Sequence, residues 1–369
     1  MNNIDNDKRI ILTLDAGGTN FVFSAIQGNE EIVNSIRRPS NAHNLEKCID
    51  TIIEGFDYVN NKLLNKACAI SFAFPGPADY NKGVIGDLPN FKAFNGNVPL
   101  GPILEEKFNC PVFINNDGNL FAYGEALSGY LPELNNKIIN AGGIKQFSNL
   151  IGITLGTGFG CGVVLNNILL KGDNSCDTGI HNTLNKYNLN WNAEESVSTR
   201  ALQRVYAEES GLAFTQNLMP KDIYYIAKGL RDGNQKAAIE SFNQFGEALG
   251  SSLANILTLI DGIVVIGGGI TSAWDIFSPA MFNELNRSYE NFEAVKSHRL
   301  SVKVYNLEDK TCFNEFALGS VKNLSVSGSK RIVSYDEIPR IGIGISDLGA
   351  SKAIALGAYT YALQQLDRV

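Results

Sequence analysis

The sequence has few of the residues that most metal sites and disulfide frameworks require. Only six of its 369 residues are cysteine and three are histidine. The cysteines stand singly, without a CxxC pair, so neither a disulfide framework nor a zinc ribbon is expected. The three histidines, His43, His181 and His298, are too few for histidine-rich metal chemistry.

Long apolar runs and excess basic charge are also missing. No run approaches the roughly 18 apolar residues that a membrane-spanning helix needs. Residues 1–8 are polar and lack the apolar segment of a signal peptide, so we expect a cytoplasmic protein. The formal net charge of -7 disfavours general nucleic-acid binding. We therefore expect neither a membrane nor a nucleic acid as a partner.

Two common nucleotide-binding loops are absent, but three other glycine-rich turns are present. There is no GxxxxGK[ST] segment, and the glycines of residues 156–162 alternate instead of forming GxGxxG. The turns that follow apolar runs are Gly17-Gly18-Thr19, Gly156-Thr157-Gly158 and Gly267-Gly268-Gly269. Each alone is more often a tight turn than a ligand loop. Three in this order are typical of two lobes that hold a nucleotide's phosphates from both sides.

The first of these turns carries an acidic residue. Asp15 follows the apolar residues 10–14, which predicts a buried strand that enters a tight turn. Glycines let backbone N–H groups approach an anion closely. Asp15 itself could hold Mg²⁺ or its waters, and the metal would bridge to phosphate oxygens. The alternative is an ordinary hairpin turn.

The length and the repeated pattern predict two lobes. A chain of 369 residues exceeds the usual size of one hydrophobic core. Both halves open with a strand, a glycine turn and two further strands, which indicates an internal duplication of architecture. We predict an α/β protein with a small lobe, residues 1–117 with a C-terminal helix at about 350–369 packed on it. A larger lobe covers residues 118–349, and a ligand cleft lies between the two.

Two stretches interrupt the regular pattern of the larger lobe. Residues 131–148 are polar and contain glycine, which favours a surface loop or hairpin. Residues 300–338 have strand-like pieces without a helical period, which favours an inserted β region.

Asn116 and Asp117 stand between a predicted strand and a predicted helix. Asp117 has two interpretations, either as the helix N-cap or as a strand-end carboxylate that accepts a proton from a substrate hydroxyl. Phosphoryl transfer needs alignment, Mg²⁺ and one such base. We regard Asp117 as the best candidate for that base.

Further polar residues lie in loops where a ligand could bind. Asn90, beside Pro89, offers a donor and an acceptor to a ligand hydroxyl, or simply forms a turn. A later polar stretch contains Asp177, His181, Glu194 and Glu195. These side chains either bind sugar hydroxyls or are solvated charges beside an acidic first helical turn.

Taken together, these motifs resemble the ROK family (repressor, open reading frame, kinase) of sugar kinases, within the actin-like ATPase superfamily. The matching segments run along nearly the whole chain: Leu14-Asp15-Ala16-Gly17-Gly18-Thr19, Pro75-Gly76-Pro77, Leu88-Pro89-Asn90-Phe91, Val98-Pro99-Leu100, Asn115-Asn116-Asp117-Gly118-Asn119, Gly124-Glu125-Ala126, Leu155-Gly156-Thr157-Gly158, Val197-Ser198-Thr199-Arg200-Ala201-Leu202, Ile266-Gly267-Gly268-Gly269 and Leu356-Gly357-Ala358. The resemblance implies a two-lobed actin-like (ribonuclease H-like) fold, a homodimer, and ATP-dependent phosphorylation of a hexose at its 6-hydroxyl with Mg²⁺.

The resemblance also implies roles for individual residues. Asp117 resembles the family's catalytic base. The positions similar to sugar ligands are Gly76, Asn90, Asn116 and Glu194. The positions similar to phosphate-binding residues are Gly17, Gly18, Thr19, Thr157 and Gly158, while Gly268 and Gly269 resemble the adenosine side.

The sequence departs from the family pattern in one segment. Many members carry Glu-x-Gly-His and then a cysteine triplet that binds structural zinc. Residues 176–181 stand at this place, and no cysteine occurs between His181 and Glu194, so no zinc is expected. The spacing shifts by about one residue, which leaves either Asp177 or His181 in the sugar-facing role.

The substrate and the class of protein have alternatives. Glucose is the first expectation, and fructose, mannose and an N-acetylated amino sugar remain open. A sugar-sensing regulator without turnover, or an actin-like scaffold or chaperone ATPase, are the alternatives from other classes. ROK repressors add a DNA-binding helix-turn-helix before the first strand, and only residues 1–9 precede it here, so we expect no such domain.

Overall fold

The computed structural model describes residues 4–88, 92–176 and 178–368. Its strands and helices, in chain order, are β1 (Ile11–Ala16), β2 (Asn20–Gln27), β3 (Glu30–Glu31), β4 (Ile36–Pro39), α1 (Leu45–Asn60), β5 (Ala69–Ala73), β6 (Ala78–Asp79), β7 (Val84–Ile85), α2 (Leu100–Phe108), β8 (Val112–Asn115), α3 (Asp117–Leu127), α4 (Tyr130–Asn140), β9 (Leu150–Leu155), β10 (Phe159–Leu165), β11 (Ile168–Leu169), α5 (Thr199–Ser210), α6 (Pro220–Ala227), α7 (Gln235–Leu259), β12 (Ile263–Gly267), α8 (Trp274–Leu285), β13 (Ser288–Glu290), β14 (Lys296–His298), β15 (Lys303–Asn306), α9 (Lys310–Leu318), β16 (Val321–Ser325), β17 (Ile332–Asp336), β18 (Arg340–Ile345) and α10 (Ala350–Leu366). Short 3₁₀ turns lie at Ile4–Asn6, Ile180–Asn182, Ala193–Glu195 and Gly269–Ala273. None of the described helices is long and apolar enough to cross a membrane.

The chain forms two compact units. Unit 1 comprises Met1–Tyr130, Gly162–Thr178 and Asp347–Val369, and unit 2 comprises Leu131–Cys161 and Gly179–Ser346. Unit 1 therefore extends past residue 117, where we placed the end of the small lobe. The reason is that α3 packs along its length against α10 and β8 continues directly into it.

A mixed sheet forms the centre of unit 1. Its strands run in the order β3-β2-β1-β5-β8, with β4 paired to β2. Strands β1 and β2 form an antiparallel hairpin, while β1, β5 and β8 are parallel. Alternation along β1 sends Leu12 and Leu14 into the core beneath α1 and sends Ile11 towards α10.

Aromatic side chains fill the face of this sheet that α1 covers. Phe23 and Phe56 meet edge to face with ring centroids 5.2 Å apart, and Phe72 and Phe74 are related in the same way at 6.1 Å. All four are fully buried. Each such burial contributes about 1.5–3 kcal/mol, so this face holds the sheet that carries the first glycine turn in place.

Unit 2 repeats the same arrangement around a second sheet. Strand β10 starts in this unit beside β9, and the order continues as β9-β12-β18-β15. Strands β9, β12, β18 and β15 are parallel. The long helix α7 packs against α5 and α8. The matching strand order of the two sheets confirms the predicted duplication of architecture.

Of the two predictions about irregular segments, one was wrong and the other was confirmed in part. Residues 131–148 contain the helix α4 rather than a loop, because Leu131, Leu134 and Ile138 recur at helical spacing and are buried. The region 300–338 contains an antiparallel β hairpin, β16–β17, as predicted, but it also contains the helix α9. Asp309 caps it by accepting a hydrogen bond from the N–H of Cys312 at 2.8 Å, and β15 belongs to the main sheet.

Candidate active site

Three loops leave the same edge of the unit 1 sheet. In the parallel register, Asp15 stands beside Ala73 and Ala73 stands beside Asn115. The carboxyl ends of β1, β5 and β8 are therefore level. Ligands of open α/β sheets bind outside this edge. It carries the first glycine turn, the Gly76 loop and the Asn116-Asp117 pair.

The first glycine turn is fixed through its carbonyl groups. Ser40 donates its hydroxyl to the carbonyl oxygen of Gly18 at 2.6 Å and its N–H to that of Thr19 at 2.9 Å. Within the described part of the chain, no hydrogen bond uses the N–H of Gly17, Gly18 or Thr19. A turn with its carbonyls held and its amides available fits an anion such as a phosphate.

Asp15 lines a cavity in unit 1. The cavity has a volume of about 540 Å³, and Thr13, Ser24 and Lys352 also line it. Asp15 is exposed, unlike the buried residues that precede it in β1. No cluster of three or more His, Cys, Asp or Glu residues that could hold a metal occurs among the described residues. A magnesium ion here would complete its coordination with water and phosphate oxygens.

The start of α3 decides between the two interpretations of Asp117. The N-cap is Asn116, whose side-chain oxygen accepts a hydrogen bond from the N–H of Asn119 at 2.6 Å. Asp117 is the first helical residue and is exposed, and its Oδ1 accepts from the N–H of Gly118 at 2.8 Å. The N-cap interpretation of Asp117 was therefore wrong. Its carboxylate is left accessible, in a helix whose next nine residues are buried.

The remaining unit 1 positions are described in part. Gly76 is exposed and lies next to Tyr80, whose hydroxyl donates to the carbonyl oxygen of Phe74 at 2.9 Å. This contact fixes the loop that carries Gly76. Asn90 and Asp177 lie outside the described residues, so their predicted roles stay predictions.

The second glycine turn, in unit 2, is tied to Glu194. Its Oε2 accepts a hydrogen bond from the N–H of Phe159 at 3.0 Å. A Cβ added to Gly158 would lie 3.0 Å from the same oxygen, so a side chain there would make a tight contact with the carboxylate. Thr199 also donates its N–H to the carbonyl oxygen of Gly156 at 2.8 Å. One oxygen of Glu194 thus supports the turn, which leaves the other for a ligand.

His181 lies on a turn that is paired with the turn of Glu194. The N–H of Ala193 donates to the carbonyl oxygen of Thr183 at 2.8 Å, and Leu184 forms a β-bridge with Asn192. These contacts hold Ile180–Asn182 beside Ala193–Glu195. His181 is half-buried. The structure therefore brings together His181, Glu194 and the second glycine turn.

The third glycine turn lies against the second. Strand β12 pairs with β9 up to Gly267 opposite Thr154. Gly268 has φ +100°, and a Cβ there would overlap the backbone of Leu155. Only glycine fits this position. A Cβ on Gly269 would meet nothing within 4 Å, so the chain beyond Gly268 is open to a ligand.

Three supporting residues were missed from the sequence. Ser40 and Thr199 fix glycine turns, and Lys352 lines the cavity at Asp15. Ser40 lies 22 positions from Gly18, and Thr199 lies 43 positions from Gly156. Lys352 lies hundreds of positions from Asp15 along the chain. Ser and Thr are common at such turn contacts everywhere, so only the folded register identifies them.

Comparisons with known proteins give one consistent result. A family model described as the ROK family matches residues 11–311. The solved structure of a glucokinase from Parabacteroides distasonis is 49% identical, covers 99% of each chain and superposes with a TM-score of 0.89. Together with the duplicated sheets, this similarity confirms the expected actin-like α/β fold.

Two curated relatives are more distant. A glucokinase from Thermotoga maritima is 26% identical over 290 residues, which cover 73% of this chain and 85% of that protein. An N-acetyl-D-glucosamine kinase from Vibrio parahaemolyticus is 29% identical over 278 residues, which cover 70% of this chain and 83% of that protein.

Proposed function

The chain belongs to the ROK family, and on that premise we propose that it transfers the γ-phosphoryl group of ATP to the 6-hydroxyl of a hexose. Asp117 carries the proposal. Its carboxylate is exposed at the level edge of the sheet, while Asn116 satisfies the helix terminus in its place. An exposed acidic side chain that is not the cap of its helix, at a ligand-binding edge, is suited to act as a general base.

Asp117 has one role in the proposed reaction. Its carboxylate accepts the proton of the sugar 6-hydroxyl as that oxygen forms a bond to the γ-phosphorus. The bond from the γ-phosphorus to the β-phosphate oxygen breaks, and ADP and the sugar 6-phosphate are the products. Such a transfer depends mainly on alignment and on charge stabilisation.

The glycine turns are assigned to the nucleotide. The amides of Gly17, Gly18 and Thr19 fit a phosphate because Ser40 holds the carbonyls of Gly18 and Thr19. Thr157 and Gly158 are assigned to phosphate binding, and Gly268 and Gly269 to the adenosine. Magnesium, held through water at Asp15, would neutralise charge on the β- and γ-phosphates.

A further set of residues is assigned to the sugar. Glu194 and His181 stand on paired turns, with one Glu194 oxygen left for a sugar hydroxyl. The amide nitrogen of Asn116 remains available when its oxygen caps α3. Gly76 and Asn90 complete the proposed set.

Glucose is the proposed substrate because the glucokinase of Parabacteroides distasonis is 49% identical over nearly the whole chain. An N-acetylated amino sugar is the second candidate, since the N-acetyl-D-glucosamine kinase of Vibrio parahaemolyticus is 29% identical to this chain. The test is ADP release with ATP, Mg²⁺ and single sugars, followed by NMR of the product.

We expect turnover with glucose and a phosphate on its 6-oxygen. Turnover with N-acetylglucosamine, N-acetylmannosamine, mannose or fructose, and none with glucose, would mean that this other sugar is the substrate. Sugar binding without any turnover would favour the sugar-sensing regulator, and ADP release independent of sugar would favour a scaffold or chaperone ATPase.

A further inference from the structure

Residues 183–192, which we call the linking loop, join the turn of His181 to the turn of Glu194. Within this described stretch the backbone forms no helix or strand. Two of its apolar side chains are largely exposed, Leu184 at 63% and Leu189 at 77%. The loop is therefore held less by apolar burial than by polar contacts, although proposed sugar ligands stand at both of its ends.

The buried side chain of Asn185 is the internal support of the linking loop. Its Nδ2 donates to the carbonyl oxygen of Asn192 at 2.8 Å and to Oγ of Ser196 at 2.9 Å. Its Oδ1 accepts a hydrogen bond from the N–H of Tyr187 at 2.9 Å. Asn192 and Ser196 flank the 3₁₀ turn of Glu194. Asn185 thus connects the middle of the loop to the turn that carries Glu194.

Lys186 fastens the middle of the loop to a buried carboxylate. Its Nζ lies 2.8 Å from Oε2 of Glu284, on α8, and 3.5 Å from Oε2 of Glu247, on α7. The Lys186 side chain is 21% exposed and that of Glu284 is 7% exposed, so water and salt screen this pair less than a surface pair. The neighbouring Tyr187 donates its hydroxyl to the same Glu247 oxygen at 2.9 Å. Two adjacent residues of the loop are thus bound to α7 and α8.

The carboxylate of Glu284 has cationic partners besides Lys186. Its Oε1 pairs with Arg287 at 3.2 Å and with the buried Arg299. Breaking a buried ion pair is strongly destabilising when it leaves the other charge unpaired. Loss of Lys186 leaves both arginines on Glu284, so it releases the loop while α8 keeps its own contacts.

A separate set of contacts attaches the end of the loop to α5. The guanidinium of Arg204 lies 4.7 Å from the ring centroid of Trp191, a cation–π contact. Its Nη2 also donates to the carbonyl oxygen of Glu195 at 3.3 Å. Helix α5 therefore supports the loop close to the Glu194 turn, so release of Lys186 shifts the loop without detaching it.

We propose that Lys186 is a positioning residue of the sugar site. Its ion pair with Glu284 fixes the linking loop, and Asn185 connects this fixed segment to the turn of Glu194. The Glu194 oxygen that is left for a ligand is then held in place before a sugar arrives, so sugar binding does not have to order the loop. This inference rests on the proposed function in one respect, that the ligand of Glu194 is a sugar.

The substitution Lys186→Met tests the positioning role, because it removes the charge and keeps an apolar stem. We expect the KM for sugar to rise about fivefold, no more than in Glu194→Gln, since Glu194 stays in the site but is no longer held. The KM for ATP and kcat should stay within about twofold. Lys186→Arg keeps the cation and should restore the sugar KM. The coupled ADP-release assay gives all three constants.

Amide hydrogen exchange tests the anchoring without any sugar. Peptides that cover residues 183–196 should exchange about tenfold faster in Lys186→Met, since the loop then opens at a lower free energy. Lys303→Met is the matched control. It makes the same change in net charge and removes an exposed ion pair of unit 2, with Glu315. Because exposed pairs contribute little, this control should leave both the exchange and the sugar KM unchanged.

A double variant separates positioning from a general loss of stability. In the Glu194→Ala background there is no carboxylate left to position, so adding Lys186→Met should change the sugar KM by less than about twofold. If the full rise persists in this background, Lys186 does not act through Glu194, and the proposal is overturned.

The outcomes are distinct. Faster exchange of residues 183–196, a rise confined to the sugar KM and recovery in Lys186→Arg support the proposal. Unchanged exchange overturns the anchoring, and faster exchange with an unchanged sugar KM, or with equal rises in both KM values, overturns the positioning role. A wild type that is inactive with every sugar refutes the proposed function instead, and the exchange experiment, which uses no sugar, still decides whether Lys186 anchors the loop.

Discussion

The Asp117→Asn substitution separates the chemistry of this carboxylate from the stability of α3. Asp117 accepts a hydrogen bond from the adjacent N–H of Gly118, whereas the cap of the helix is Asn116. An asparagine at position 117 keeps the shape and loses the negative charge beside the helix N-terminus. That charge contributes less than about 1 kcal/mol at an exposed site.

The expected loss of activity is far larger. A general base contributes about 10²- to 10⁴-fold to the rate, which corresponds to about 3–5 kcal/mol of activation free energy. We therefore expect kcat of Asp117→Asn to fall by that factor while the sugar Kd changes little. A coupled ADP-release assay gives kcat, and calorimetric titration gives the Kd.

Asn116→Ala is the matched control. It removes the cap and should cost about 1 kcal/mol of unfolding free energy, measured by urea denaturation. Retention of kcat within tenfold in Asp117→Asn would refute the assignment of the base. A loss of unfolding free energy in Asp117→Asn as large as in Asn116→Ala would refute the structural argument.

The other predictions concern the second turn, the third turn and the N-terminus. Glu194→Gln keeps an acceptor for the loop but loses charge, so the KM for sugar should rise roughly five- to tenfold with the KM for ATP unchanged, and equal rises in both would contradict this. Gly268 has φ +100°, so Gly268→Ala should lower the unfolding free energy, measured in urea, by at least about 2 kcal/mol. The control Gly269→Ala should change it by less than about 1 kcal/mol. Equal losses in the two variants would refute the packing argument. The guanidinium of Arg9 donates to Asp7 and holds the pKa of that carboxyl below its ordinary value. The unfolded chain binds this proton more readily, so the pair stabilises the fold at neutral pH and is lost as the pH falls through the lowered pKa. Asp7→Asn should therefore cost less than about 1 kcal/mol at pH 7 and nothing well below about pH 4, and a cost that stays constant between these pH values would contradict it.

The strand-end turns were predictable because their signals are local. A buried apolar run that ends in glycine determines both the strand and its tight turn, as at Gly17 and Gly267. The duplicated order of strands followed from the same signals. Helix α4 was missed although Leu131, Leu134 and Ile138 have helical spacing, because the polar residues between them dominated the composition.

The support of the turns was not predictable from the sequence. Glu194 is tied to Phe159 across 35 positions, and Ser40 to Gly18 across 22. Such contacts depend on which loops the folded sheets bring together, which no local pattern encodes. Asn116 and Asp117 are adjacent, and both residue types are common N-caps. Only the backbone of α3 shows that Asn116 is the cap and Asp117 the first helical residue.

The most direct test of the proposed function compares glucose with 6-deoxyglucose. Both present the same hydroxyls to the sugar site except the one that Asp117 is proposed to deprotonate. We expect both sugars to bind, but only glucose to support ADP release, with 6-deoxyglucose as a competitive inhibitor. ADP release at equal rates with both sugars would contradict phosphorylation at the 6-hydroxyl.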